Sequence, residues 1–236
     1  MNSINNNIKV IGFDADDTLW DNEPFYRETE AEFCNLLKNY MPSEKLNEEL
    51  FKTEINNLGT YGYGIKAFTL SLIETAIRIS DGKVNAKTIN GIIELGKKQL
   101  QQPVKLLSNV KNVLEELKSD FTLIVATKGD LLDQEKKLQK SNLTGYFRKV
   151  EVMSEKKENN YLNIIHRLDI APNEFMMVGN SLKSDVIPVL NIGGYGVFVP
   201  YHTTWLHEHA DENEIQNENF IKILSIAELP TLLKKK

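Results

Sequence analysis

The chain has 236 residues, of which 41 % are hydrophobic and 26 % charged, a composition that can bury one domain core or one core with an inserted subdomain. Its net charge of −5 argues against a nucleic-acid partner or an anionic membrane surface, and Cys34, the only cysteine, excludes an intrachain disulfide and suits a reducing compartment. The start, Met1 to Asn7, is polar, and no apolar run approaches the ~20 residues of a membrane helix, so a soluble, cytoplasmic protein is expected.

In chain order, Ile8 to Phe13 is a short apolar run rich in β-branched residues and reads as a buried strand. It ends abruptly in Asp14-Ala15-Asp16-Asp17-Thr18. From about Asp21 to Pro103 the helical period dominates. Phe33, Leu36, Leu37 and Tyr40 share one face; Phe68, Leu72, Ala76 and Ile79 share another; Leu70, Ile73 and Ile77 line a third. Gly59 to Gly64 reads as a loop inside this block. Ser108 is the expected N-cap of a helix carrying Val110, Val113, Leu114 and Leu117. Phe121–Ala126 is a second buried strand, closed by Thr127-Lys128-Gly129-Asp130. A helix with Leu131, Leu132 and Leu138 follows, then a short strand at Lys149–Val152 and a helix marked by Tyr161, Ile164, Ile165 and Leu168. Phe175–Val178 is a strand running into Gly179-Asn180-Ser181. Gly196–Val199 is a fifth strand and Phe220–Leu224 a sixth, before a short helix near Ala227–Leu233.

Strands alternating with helices imply an α/β fold, a three-layer Rossmann-like core with a parallel sheet. The helical block interrupts that core straight after its first strand, so residues 1–20 and 104–236 are expected to form the core and 21–103 an inserted α-helical cap. In a parallel sheet the strand ends lie along one edge. Asp14, Asp16, Thr127, Asn180, Asp185 and either Lys156 or Lys157 would meet there. Such a set suits phosphoryl transfer. A carboxylate can attack phosphorus, and a hard cation offsets its repulsion from the anionic substrate. A lysine and a hydroxyl can hold the phosphate oxygens, and a second carboxylate can move the proton.

Phe13-Asp14-Ala15-Asp16-Asp17-Thr18-Leu19 resembles the D-x-D-x-T signature of the haloacid-dehalogenase-like hydrolase superfamily. Thr127, Lys156 and Gly179-Asn180-Ser181-Leu182-Lys183-Ser184-Asp185 resemble its second, third and fourth motifs, in order, each on the expected element. The resemblance spans residues 8 to about 200. It implies a Mg²⁺-dependent phosphatase acting on a small phosphorylated metabolite. Asp14 would be the nucleophile, and Asp16 the general acid and then base. Asp14, the Asp16 carbonyl and Asp185 would hold the metal, with Asn180 beside them. Thr127, Lys156 and the backbone near Lys128 would bind the phosphate. Asn180 departs from the usual aspartate of the fourth motif and brings one negative charge fewer, which weakens the expected hold on the metal. An acid at position 16 disfavours dehalogenation. A phosphomutase, a phospho-receiver module and a silent ligand-binding relative are the competing readings. Asp17 and Asp21 read as turn residues and Trp20 as packing between core and cap. His202, His207 and His209 match no zinc pattern.

Overall fold

The computed structural model describes residues 7–234; the first six residues of the polar start and the last two lysines lie outside the described residues. Six strands form one sheet: β1 (Val10–Phe13), β2 (Thr122–Lys128), β3 (Lys149–Met153), β4 (Phe175–Gly179), β5 (Tyr195–Phe198) and β6 (Phe220–Lys222). The helices are α1 (Glu23–Leu37), α2 (Ser43–Tyr61), α3 (Ile65–Ile79), α4 (Ala86–Leu100), α5 (Val110–Leu117), α6 (Leu131–Lys140), α7 (Glu158–Arg167), α8 (Ile187–Asn191) and α9 (Leu229–Leu233).

The strand order is β3-β2-β1-β4-β5-β6, and every neighbouring pair is parallel. Successive residues of each strand serve opposite faces. Ile11, Phe13, Leu123, Val125, Met176 and Val178 join α5 and α9 in one core, while Val10, Ile124, Ala126, Phe175 and Met177 join α7 and Val189 of α8 in the other. A parallel sheet covered on both faces needs apolar residues at every position, which is why these strands read as unbroken apolar runs. Gly12 of β1 faces Phe175, whose ring would lie 2.9 Å from a Cβ placed there. The fold is the α/β Rossmann-like architecture that the element order predicts. Strand order reverses between β1 and β4, and the crevice at such a reversal is where open α/β sheets bind their ligands.

The chain divides into two compact units, residues 7–21, 104–128 and 136–234 in one, and residues 22–103 with 129–135 in the other. The second unit holds α1–α4 around Phe33, Leu37, Leu46, Leu50, Phe68 and Leu72. Segment 129–135 joins it through Lys66, whose ammonium lies 2.9 and 3.0 Å from the two Asp130 carboxylate oxygens. That attachment pairs residues far apart in sequence and leaves no local trace.

Two local expectations are corrected, and the expected helix α6 turns a different face inward. Helix α2 continues through Gly59 to Tyr61, and the break comes at Gly62 and Gly64 (φ 70° and 102°), glycines that accept a left-handed backbone. Helix α5 starts after Asn109, at φ 67°, and not after Ser108; Asn tolerates that conformation, and no side chain caps this helix. Leu131 (58 % exposed) and Leu132 (49 %) face water, and α6 buries Asp133, Gln134 and Leu138 instead. Among the described residues no helix is long and apolar enough to cross a membrane.

Candidate active site

Asp14 is the first residue past β1, and its N–H still donates to the Val178 carbonyl of β4 at 2.9 Å. The chain then folds into a tight loop. The Ala15 carbonyl accepts from the Leu19 N–H at 2.8 Å, and the Asp17 N–H donates to the Trp20 carbonyl at 2.8 Å. Asp17 takes φ 61° there, the turn role expected of it. Asp21 accepts a hydrogen bond from the Tyr201 hydroxyl at 2.8 Å. Trp20 is buried, 1 % exposed, among the core residues of the sheet unit.

Three strand ends converge on Asp14. The Lys156 ammonium, just after β3, donates to Asp14 Oδ1 at 2.5 Å and to Asp185 Oδ1 at 2.6 Å. Its side chain is only 2 % exposed. Lys157 is exposed at the start of α7, so Lys156 is the lysine delivered to the strand edge. Thr18 donates to Asp14 Oδ2 at 3.2 Å. The Asn180 amide nitrogen faces Asp14 Oδ2 at 3.2 Å, the Asp16 carbonyl at 3.3 Å and Thr18 Oγ1 at 3.2 Å. In the opposite orientation the amide oxygen would accept from Thr18 but face the other two acceptors unpaired, so the nitrogen-inward arrangement is the sound one.

Asp185 reaches the site because residues 182–186 form one wide helical turn after β4. The Ser181 N–H donates to Asp185 Oδ2 at 2.9 Å, and Ser181 Oγ accepts from the Ser184 N–H at 3.0 Å. Gly179 is needed here for space: a Cβ would overlap the Asp185 carboxylate. Thr127, at the end of β2, is buried, and its hydroxyl donates to the Lys128 carbonyl at 3.2 Å. The Lys128 ammonium turns to Ser184 Oγ (2.9 Å) and Glu208 Oε1 (2.5 Å).

The charges explain the titration. Burial, against the pull of Lys156 and with a push from Asp185 and Asp16, raises the Asp14 carboxyl to about 7. Burial opposes charge on Lys156 too, but the two carboxylates outweigh it and raise the ammonium above its ordinary value.

Sequence reasoning did not find four side chains of this region. Lys137 of α6 lies 3.0 and 3.2 Å from the two Asp16 carboxylate oxygens, and the Trp20 indole N–H donates to Asp16 Oδ1 at 2.7 Å. Glu208 accepts from Lys128, Ser181 and Ser184. The Tyr161 hydroxyl donates to the Ser184 carbonyl at 2.9 Å. Lys137 and Glu208 sit in charged, polar stretches that read as solvated surface, so only the three-dimensional contacts mark them. Each of the three histidines set aside from the sequence meets a nearby residue, His209 Nε2 lying 3.3 Å from the Thr204 carbonyl. His202 Nδ1 lies 2.7 Å from Thr203 Oγ1, and the His207 ring packs on Trp205 at 4.9 Å between centroids.

A family model described as haloacid dehalogenase-like hydrolase matches residues 8–193, from just before β1 past the wide turn that carries Asp185. The chain belongs to that family. It is similar to the N-acylneuraminate-9-phosphatase of Rattus norvegicus, 26 % identical over 239 residues, covering 96 % of this chain and 94 % of the relative. The crystal structure of a haloacid dehalogenase-like family hydrolase from Xanthomonas campestris matches with a TM-score of 0.85 at 36 % identity, over 95 % of this chain and 90 % of that one. The L-2-haloacid dehalogenase of Xanthobacter autotrophicus shares the fold at a TM-score of 0.65 and 13 % identity, over 96 % of this chain and 98 % of that one.

Proposed function

We propose that this hydrolase is a Mg²⁺-dependent phosphatase that cleaves a small phosphorylated metabolite through an aspartyl-phosphate on Asp14. The observation that carries this reading is the buried Asp14 carboxylate, held by Lys156 in common with Asp185 and followed two residues later by Asp16. Curated relatives named as phosphatases support it at 26 % identity.

The residues present fit a hard divalent cation. Lys156 and Lys137 face three carboxylates, those of Asp14, Asp16 and Asp185, and burial, with a smaller push from Asp185 and Asp16, raises Asp14 against the pull of Lys156. Among the described residues no cluster of three or more His, Cys, Asp or Glu side chains is arranged to hold a metal by itself. The donor set would be mixed: Asp14, Asp185, the Asp16 carbonyl and, with its amide turned over, the Asn180 oxygen. Hard oxygens of this kind suit Mg²⁺. Bound there, Mg²⁺ would restore Asp14 to the carboxylate and offset the charge of the phosphate.

The chain's own groups supply the rest. An Asp14 oxygen attacks phosphorus and the ester P–O bond breaks; the leaving oxygen takes a proton from Asp16. The Asp16 carboxylate then removes a proton from water as that water attacks the acyl-phosphate and frees Asp14. Lys156 and the Thr127 hydroxyl hold the non-bridging oxygens, together with the backbone N–H groups near Ala15, Asp16 and Lys128.

The test is hydrolysis of p-nitrophenyl phosphate and a panel of phosphorylated metabolites, with and without Mg²⁺. Activity should require Mg²⁺ and fall by at least about 10³-fold in Asp14→Asn, as loss of a covalent nucleophile demands. Full activity in Asp14→Asn would rule the mechanism out.

A further inference from the structure

Asp16 is held in an unusual way for a group that must present a proton to a leaving oxygen. The Lys137 ammonium lies 3.0 Å from Oδ1 and 3.2 Å from Oδ2, and the Trp20 indole N–H donates to Oδ1 at 2.7 Å. Trp20 is a fixed post: it is 1 % exposed in the sheet unit's core, and the Trp20 carbonyl accepts from Asp17 within the same tight loop. Lys137 comes from a different element, α6, and its side chain is only 15 % exposed. A lysine on a charged helix such as Leu131–Lys140 loses hydration and rotamer freedom when it is drawn in this way. Here the compensation is contact with both carboxylate oxygens. The two donors approach from separate elements, so the carboxylate plane is fixed against rotation.

We propose that Lys137, seconded by Trp20, is a positioning residue for Asp16 and sets the direction of proton transfer to and from the ester oxygen. The inference rests on the reading of Asp14 as nucleophile and Asp16 as acid and base. Lys137 exchanges no proton in either step. In the first, the proton passes from Asp16 to the leaving oxygen as the Asp14–phosphorus bond forms and the ester bond breaks; in the second, it passes from water to Asp16 as the acyl-phosphate opens. A general acid contributes about 10²–10⁴-fold when correctly placed, and a misplacement of about 1 Å forfeits about 10²-fold.

A positioning role has a signature that a structural role lacks: its loss matters most where the leaving oxygen needs the proton most. The test compares kcat/KM on p-nitrophenyl phosphate, whose phenolate leaves with little protonation, and on phenyl phosphate, whose leaving oxygen depends more on the acid. Lys137→Met should lower kcat/KM for phenyl phosphate about tenfold more than for p-nitrophenyl phosphate. Lys137→Arg should recover part of that difference, since a guanidinium can reach both carboxylate oxygens. Trp20→Phe, which keeps the ring and removes the N–H, should show the same pattern more weakly. Equal losses on the two esters, or none, would overturn the proposal. If Lys137→Met does not fold, Lys137→Arg and Trp20→Phe carry the same comparison, and a uniform loss in both overturns it. Asp14→Asn separates the two levels. Retained hydrolysis in that variant breaks the underlying mechanism, whereas an inactive Asp14→Asn beside uniform Lys137 effects overturns the positioning role alone.

Discussion

The Lys156 ammonium donates to Asp14 Oδ1 at 2.5 Å while it also holds Asp185, so one buried cation ties the end of β1 to the turn after β4. Removing it strands two carboxylates in a site with almost no water contact. Breaking a buried ion pair from one side costs about 3–5 kcal/mol. Lys156→Met should therefore lose about 3 kcal/mol in urea unfolding without metal. Saturating Mg²⁺ should return part of that loss by taking up the freed charge. A variant as stable as the wild type without metal would contradict the coupling.

Glu208 is the carboxylate that binds Lys128, Ser181 and Ser184 together behind Asp185. Burial would raise its pKa, but the Lys128 charge and the hydrogen bonds from Lys128, Ser181 and Ser184 outweigh it and hold it near 2. A depressed carboxyl contributes stability that is present above the unfolded value of 4.5 and lost as pH falls through about 2. Its share is about 3 kcal/mol at neutral pH. Acid unfolding of Glu208→Gln should thus lack part of the pH dependence of the wild type between about pH 4.5 and 2. Parallel curves for the two proteins over that window would refute the clamp.

Glu54 in α2 behaves in the opposite sense. Partial burial, together with the Glu30 and Glu23 carboxylates, pushes it to about 8 against the pull of Arg27. A raised carboxyl favours the folded state while protonated, so its contribution is fully present below the unfolded value of 4.5 and fades as pH rises towards 8. Glu54→Gln, a mimic of the neutral form, should match the wild type near pH 4. It should exceed the wild type in stability above pH 8, raising Tm by more than the ~2–4 °C that about 1 kcal/mol gives in a chain of this size. Thermal melts across that range check it; a deficit at high pH would reverse the sign assigned here.

The sequence carried the main lines of the fold because strand burial leaves a one-dimensional record. Val10–Phe13, Leu123–Ala126 and Phe175–Val178 are apolar at nearly every position, as strands covered on both faces must be, and each runs directly into polar residues. The two-residue spacing of Asp14 and Asp16 and the polar set after β4 are local features of the same kind, so the catalytic candidates were legible with the fold.

Where the reading failed, the deciding interaction lay elsewhere in the chain or in a single dihedral angle. Gly59 stays helical because nothing at that residue requires a positive φ, whereas Gly62 and Gly64 adopt one. Segment 129–135 groups with the helical unit, where Lys66 meets Asp130 across a long sequence separation.

By itself, then, the sequence determined the parallel α/β core, the order of its motifs and the identity of the groups at the strand ends, since these depend on apolar runs and on residues at fixed short spacings. Only the tertiary structure decided which lysine reaches Asp14, that Lys137 and Trp20 grip Asp16, and that Glu208 braces the turn carrying Asp185. The physical reason is common to all three: an ammonium or carboxylate in a polar stretch looks the same in sequence whether it stays in water or is drawn to a partner of opposite charge, and the burial that separates the two cases comes from elements far apart along the chain.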